Sequence, residues 1–253
     1  MESAIARDEE EHLFPAKKAV SDEQAADSAL MARIRDCFQS FVLGEEFSCV
    51  AAKAAIRRGH YQHGVYGELA SAEATTQLSR ELFSFVRRQP ALGGPYSTFV
   101  ASFTGPYLPN EIEFERLLWK QLACLHQRDR MFHRWDPVVS ANIDDANFSF
   151  SVAGRGYFVV GLHPSSSRWT RRFPWPTLVF NAHYQFEQLR AEGKYQRMQE
   201  VIRARELAFQ GTINPMLGEF GRRSEARQYS GRAVEADWRC PFSPPGNDDR
   251  EAS

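Results

Sequence analysis

The run Tyr157-Phe-Val-Val-Gly-Leu162 constrains the fold more than any other stretch of this chain. It is continuously apolar, β-branched and aromatic, and too short for a buried helix, so it reads as a strand covered on both faces. Just before it, Phe148-Ser-Phe-Ser-Val152 alternates strictly, the pattern of a half-buried strand. Gly154-Arg155-Gly156 lies between the two and suits a hairpin connection. Thr177 to Phe180 is a further short strand, and Ser97 to Phe103 alternates like another.

Helical spacing surrounds these strands. Leu30, Ile34, Phe38 and Phe41 place an amphipathic helix over 28–43, and Ala51 to Arg58 suits a second short one. Leu78, Leu82, Phe83 and Val86 share a face, and Pro90 follows as a breaker, with a turn at Gly93-Gly94-Pro95. Asn110 with Glu113 forms a capping box ahead of Ile112, Leu117, Leu118, Leu122 and Leu125. From Tyr184 to about Phe209 the pattern is helical, interrupted near Gly193, and loops follow at Asn214-Pro215 and 218–221. The expected class is α+β, a small antiparallel sheet of three to five strands flanked by helices. The expected organisation is an acidic flexible segment over 1–25, one domain over 26–242, and a disordered tail over 243–253.

Charge narrows the function classes. The formal net charge of the 253-residue chain is −1, which argues against a dedicated nucleic-acid binder. No apolar run reaches the roughly 18 residues of a membrane span, and acids stand where a signal peptide carries bases. The cysteines Cys37, Cys49, Cys124 and Cys240 form no CxxC pair, which suits a reducing cytoplasm. Locally the balance changes: residues 155–232 carry thirteen bases against six acids, and all but one of those bases are arginine. Arginine pairs carboxylates and phosphates bidentately.

Three constellations could carry chemistry. In Gly161-Leu-His163-Pro-Ser-Ser-Ser-Arg168-Trp-Thr-Arg171-Arg172, a rigid strand end presents His163, and anion donors follow within one loop. A lone histidine is more often structural, but a histidine with neighbouring arginines suits a cofactor that has both a metal and carboxylates. Haem is such a cofactor. The loss of Arg168, Arg171 or Arg172 is then expected to affect cofactor retention more than folding. In Asn181-Ala-His183-Tyr184, His183 follows another strand and is the alternative metal ligand. Ser224-Glu225-Ala-Arg227-Gln-Tyr229-Ser230-Gly231-Arg232 is dense in polar and aromatic groups, and places Tyr229 and Arg232 among candidate cofactor contacts. Cys240 is a weaker candidate ligand, since a buried inert thiol is the commoner case. His60-Tyr-Gln-His63 reads as an exposed loop. Nothing matches a P-loop, GxSxG, HExxH or GxGxxG.

The blocks FSFSVAGRGYFVVGLHPSSSRWTRRFPWPTLVFNAHYQFEQLR, INPMLGEFG, SEARQYSGR and WRCPF, in that order, resemble the YqcI/YcgG family, and FVLGEEFSCVAAKAA adds an earlier block. Many members have Phe-Pro-Cys where this chain has Phe47-Ser48-Cys49. The resemblance implies a cytoplasmic haem-dependent N-oxygenase, with haem b, dioxygen as co-substrate and an external electron donor or redox partner. Its substrate would be a small guanidine or amine of a natural-product pathway, hydroxylated or carried on to a nitro group. A non-catalytic haem carrier or sensor is the alternative, and a homodimer is compatible with either. The haem role then falls on His163, with Arg168, Arg171 and Arg172 for the propionates. A cationic substrate needs a carboxylate to orient it, for which Glu225 and Glu187 are candidates by neighbourhood.

Overall fold

The computed structural model describes residues 14–89, 97–218 and 221–242. Five strands, β1 (Tyr61–Glu68), β2 (Thr98–Gly105), β3 (Phe150–Val152), β4 (Arg155–Leu162) and β5 (Thr177–Ala182), form one sheet in the order β1-β2-β5-β4-β3. Around it stand α1 (Phe14–Leu43), α2 (Val50–Arg58), α3 (Ala72–Arg88), α4 (Glu111–Asp129), α5 (His183–Ala191), α6 (Tyr195–Gln210) and the short α7 (Ala226–Tyr229). The class is α+β.

The sheet is mixed rather than wholly antiparallel. β3–β4, β4–β5 and β5–β2 are antiparallel, but β1 runs parallel to β2. A parallel pair needs a crossover longer than a turn, and α3 supplies it. The strand overlooked in the sequence is β1, which opens directly after His60 where a loop was expected. His63 is held there by a 2.8 Å hydrogen bond between its Nε2 and Ser102 Oγ. Its ring also meets Phe38 edge-on at 4.9 Å.

The β3–β4 hairpin closes one residue earlier than the glycines suggested. Ala153 and Gly154 take the left-handed conformation, φ 54° and 71°, as a two-residue turn with positive φ at both positions requires. Arg155 and Gly156 belong to β4.

Alternation then divides the sheet. Tyr157 and Val159 of β4, Leu178 and Phe180 of β5, and Phe99 and Phe103 of β2 enter the main core with Leu78, Leu82 and Phe85 of α3 and Phe114, Leu118 and Leu122 of α4. Asn110 caps α4 by accepting from the Glu113 N–H at 2.9 Å. Ile112, expected on the apolar face, is instead 66% exposed. Gly161 lets α4 lie against β4, because a Cβ there would come 2.5 Å from the Phe114 ring.

On the other face, Val100 and Leu162 meet Phe38 and Val42 of α1, and Phe173 closes the cluster. The helix expected over 28–43 begins earlier, at Phe14, and buries Ile34, Phe38 and Val42 along one stripe. Residues 1–13, 90–96 (with the expected turn at Gly93-Gly94-Pro95), 219–220 (within the expected 218–221 loop) and the tail 243–253 lie outside the described residues. Among the described residues, no helix is long and apolar enough to cross a membrane.

Candidate functional site

The second face of the sheet is incompletely covered, and the gap is a cavity of about 300 Å³. Its floor is Val160 and Phe158 of β4, Val179 and Asn181 of β5 and Val100 of β2, and its roof is drawn from α1, α2, α5 and α6. Phe38, Phe47, Phe186, Leu189, Met198, Ile202 and Leu217 make most of the wall apolar. The polar groups that reach it are few: Arg171, His183, Gln185, Arg190, Glu206, Glu225 and Gln228 among them. An apolar hollow with a few convergent polar groups is the usual form of a small-molecule or cofactor site.

The strand run that reads as buried on both faces is the signal that points to this place. Its Tyr157 and Val159 face the core, while Phe158, Val160 and Leu162 face the cavity. Sequence reasoning missed the distinction because an apolar cavity wall and a packed core need the same side chains.

His183 opens α5 directly after β5 and lies in the cavity wall, 3% exposed. Its Nε2 is 3.4 Å from Glu187 Oε1. Burial lowers its pKa, and the Glu187 charge opposes that shift. Burial thus favours the neutral imidazole, the form that ligates a metal.

His163 is elsewhere. It follows Leu162, so alternation turns it to the α4 side, where its ring stacks on Phe114 with centroids 4.2 Å apart. It is fully buried, and neither ring nitrogen has a hydrogen-bond partner among the described residues. Burial lowers its pKa to about 4. The structure does not bring His163 to the cavity.

The three loop arginines have separate roles. Arg168 is buried and committed to the protein: its Nη2 pairs with Glu206 at 3.2 Å and donates to the Thr212 carbonyl at 2.8 Å. Arg172 is exposed and donates from Nε to the Ser166 carbonyl at 2.9 Å. Only Arg171 lines the cavity. Its Nη1 donates to the carbonyls of Gly161 at 3.3 Å and Tyr229 at 3.1 Å, and it makes no ion pair among the described residues. Burial lowers its pKa to about 10, so it is still a cation near neutrality.

Tyr229 and Arg232 do not reach the cavity. The Tyr229 hydroxyl accepts from Phe150 N–H and donates to the Tyr157 carbonyl, both at 3.0 Å, and its ring stacks on Trp119. Arg232 joins Glu115 of α4 at 2.8 Å and Glu235 at 2.8 Å, and Ser230 also bonds Glu115. This network fastens the C-terminal segment onto α4. Cys240 packs against the main core, and burial raises its pKa, which keeps it a thiol.

The two candidate carboxylates also separate. Glu187 is half-exposed on α5, paired with Arg190, and is not part of the cavity wall. Glu225 lies in the wall, 5% exposed, with its Oε2 unpartnered among the described residues.

Fold and site thus describe an α+β protein whose sheet carries a packed core on one face and a ligand-sized apolar cavity on the other. The family model that matches it covers residues 38–243, and the chain belongs to the YqcI/YcgG family. No curated protein and no solved structure matches it.

Proposed function

We propose that this protein is a haem-dependent oxygenase acting on a guanidino or amino nitrogen of a small molecule, with the cavity as the haem and substrate site and His183 as the protein's ligand to iron. The observation that carries the reading is an imidazole, His183, and a buried guanidinium held by backbone carbonyls rather than by an ion pair, Arg171, set in the wall of one apolar cavity. These groups fit what haem needs: an apolar slot, a nitrogen ligand and a cation for a propionate. Among the described residues, no three His, Cys, Asp or Glu side chains converge to hold a bare metal ion. Haem needs far less of the protein, because the macrocycle supplies its own nitrogens. His163 does not serve this site, since its imidazole is on the opposite face of the sheet and packed against Phe114.

When bound, haem supplies the activation of dioxygen, with electrons from an external donor. One oxygen atom is added to the substrate nitrogen, and the other leaves as water with two electrons and two protons, the balance of any such hydroxylation. The chain's own residues do the rest. Phe158, Val160, Val179 and Ile202 exclude water from the cavity. Glu187 orients the His183 ring through its Nε2 side and raises its basicity. Arg171 is fixed by two backbone carbonyls, so its remaining N–H groups are pre-aimed at an anion. The wall leaves α6 as the outer cover, a helix that is mostly half-buried or exposed and buries Glu206.

Purified full-length protein from haem-supplemented cells tests the reading. A Soret band in the wild type that is lost in His183→Ala and regained with added imidazole is the expected result. Oxygen consumption that depends on a small guanidine or amine and a reductant separates an oxygenase from a haem carrier or sensor. Haem retained in His183→Ala and lost in His163→Ala would overturn the assignment of the ligand.

A further inference from the structure

α2 and α6 roof part of the cavity and pack side by side, running in opposite directions. Arg58, the last residue of α2, lines a second hollow of about 250 Å³ with Lys194 and Met198 at the start of α6. At the other end Cys49, the N-cap of α2, lies near Glu206 in the later part of α6. The inner side of this cover is apolar, with Ala52, Ala55 and Ile56 on α2 and Met198 and Ile202 on α6.

Its charge is predominantly positive. α2 carries Lys53, Arg57 and Arg58 and no acid. Arg197, Arg203 and Arg205 follow on α6, against Glu200 and a Glu206 that Arg168 already pairs. Arg57, Arg58 and Arg197 are exposed, and like Arg203 and Arg205 they make no ion pair among the described residues. The antiparallel packing sets like charges together at both ends, Arg58 beside Lys194 and Lys53 beside Arg205. Burial, then Arg205 and Arg57, lower the Lys53 pKa, yet its Nζ is held in place by donating to the Gly44 carbonyl at 2.7 Å. Like charges so placed cost stability, and an anionic partner offsets that cost.

We propose that the outer face of α2 and α6 docks an acidic electron-donor protein of the iron–sulfur ferredoxin kind, which serves the cavity beneath. The inference rests on the oxygenase reading, which needs electrons from outside the chain. Two one-electron oxidations of such a donor supply the two electrons that one hydroxylation consumes, and solvent supplies the two protons. One layer of helix, about 10–12 Å across, separates a partner docked there from the cavity. Transient redox partners also need little area, under about 1,200 Å². Exposed Glu192 and Glu200 interrupt the basic face, and they suit a folded partner that offers cations of its own at those points. A uniformly negative lipid surface or phosphate backbone gains nothing from them.

An acidic two-iron ferredoxin is a suitable probe, titrated calorimetrically into the full-length protein with its haem content recorded. Binding is expected at low salt, and it should weaken roughly tenfold or more between about 20 and about 300 mM sodium chloride. The triple variant Arg57→Gln/Arg58→Gln/Arg197→Gln changes exposed residues only, so it should keep native circular dichroism while losing roughly tenfold or more in affinity. Arg128→Gln/Arg130→Gln, exposed at the end of α4 beyond the other face of the sheet, should bind as wild type does. No ferredoxin binding at low salt, or binding unchanged in the triple variant, would overturn the proposal. Tighter binding of heparin or of phosphatidylserine vesicles than of ferredoxin, lost in the same variant, would overturn it in favour of a polyanion or a membrane. Charge-dependent ferredoxin binding by protein without a Soret band would support the docking face and count against the haem reading alone.

Discussion

His163 and His183 end adjacent antiparallel strands and therefore stand at opposite ends of the pair, on opposite faces of the sheet. β4 and β5 pair from Tyr157↔Ala182 to Leu162↔Thr177, so about 20 Å of strand separates the two histidine levels. One ring stacks on Phe114 of α4, and the other enters the cavity. Two residues that look interchangeable in the sequence are thus not alternatives for one position in space.

The histidines should separate both in haem content and in a stability assay. His163→Phe keeps an aromatic partner for Phe114 and removes two buried, unpartnered nitrogens. It should leave haem content at wild-type level and raise stability by about 1 kcal/mol, measured by urea denaturation. A loss of haem in this variant would tie His163 to the cofactor.

The three arginines should give three phenotypes. Arg168→Ala leaves Glu206 buried without its partner and should cost about 3–5 kcal/mol. Arg171→Ala should lower haem occupancy several-fold with a smaller loss of stability, since it releases two carbonyl contacts. Arg172→Ala, exposed at the surface, should change stability by no more than about 0.5–1 kcal/mol and leave haem occupancy unchanged. Haem occupancy by absorbance and unfolding free energy on the same preparations distinguish them.

Tyr229→Phe tests the structural reading of a residue that composition made look like a site. The variant strands Phe150 N–H and the Tyr157 carbonyl, two buried groups that share the hydroxyl. Stability should fall by about 2–4 kcal/mol, while haem content in the folded fraction is unchanged.

Stability should depend on pH in two windows of opposite sign. Glu225 titrates at about 8 when folded against 4.5 unfolded, so the folded state holds an extra proton between those values. That contribution is present at low pH and lost as pH rises from about 4.5 to about 8. His63 and His163 each titrate at about 4 folded against 6.5 unfolded. Their contribution is present above 6.5 and lost as pH falls toward 4. Thermal unfolding across this range should show the alkaline decline in wild type and a flatter one in Glu225→Gln.

Much of the architecture is legible along the chain. The apolar run at 157–162 specifies β4, the alternation before it β3, and the Asn110–Glu113 pair the start of α4, because each depends on local spacing and local hydrogen bonding. β1 was not legible. Its start, Tyr61-Gln-His63 directly after His60, has no apolar alternation, and it is held as a strand by pairing with β2 and by the His63–Ser102 bond.

By itself, the sequence determined the class of fold, the family, and the few short segments from which site residues could come. Only the tertiary structure decided which of those residues share a cavity. It assigned Arg168 to an ion pair with Glu206 and left Arg171 at the wall, though they are three residues apart. It gave Glu225 to the cavity and Glu187 to the surface, and it put His183 inside and His163 behind the sheet. The physical reason is that residue type reports what a side chain can do, whereas its surroundings depend on strand direction and on the parity of its position. A shift of one residue exchanges the two faces of a sheet, and reversing a strand exchanges its ends.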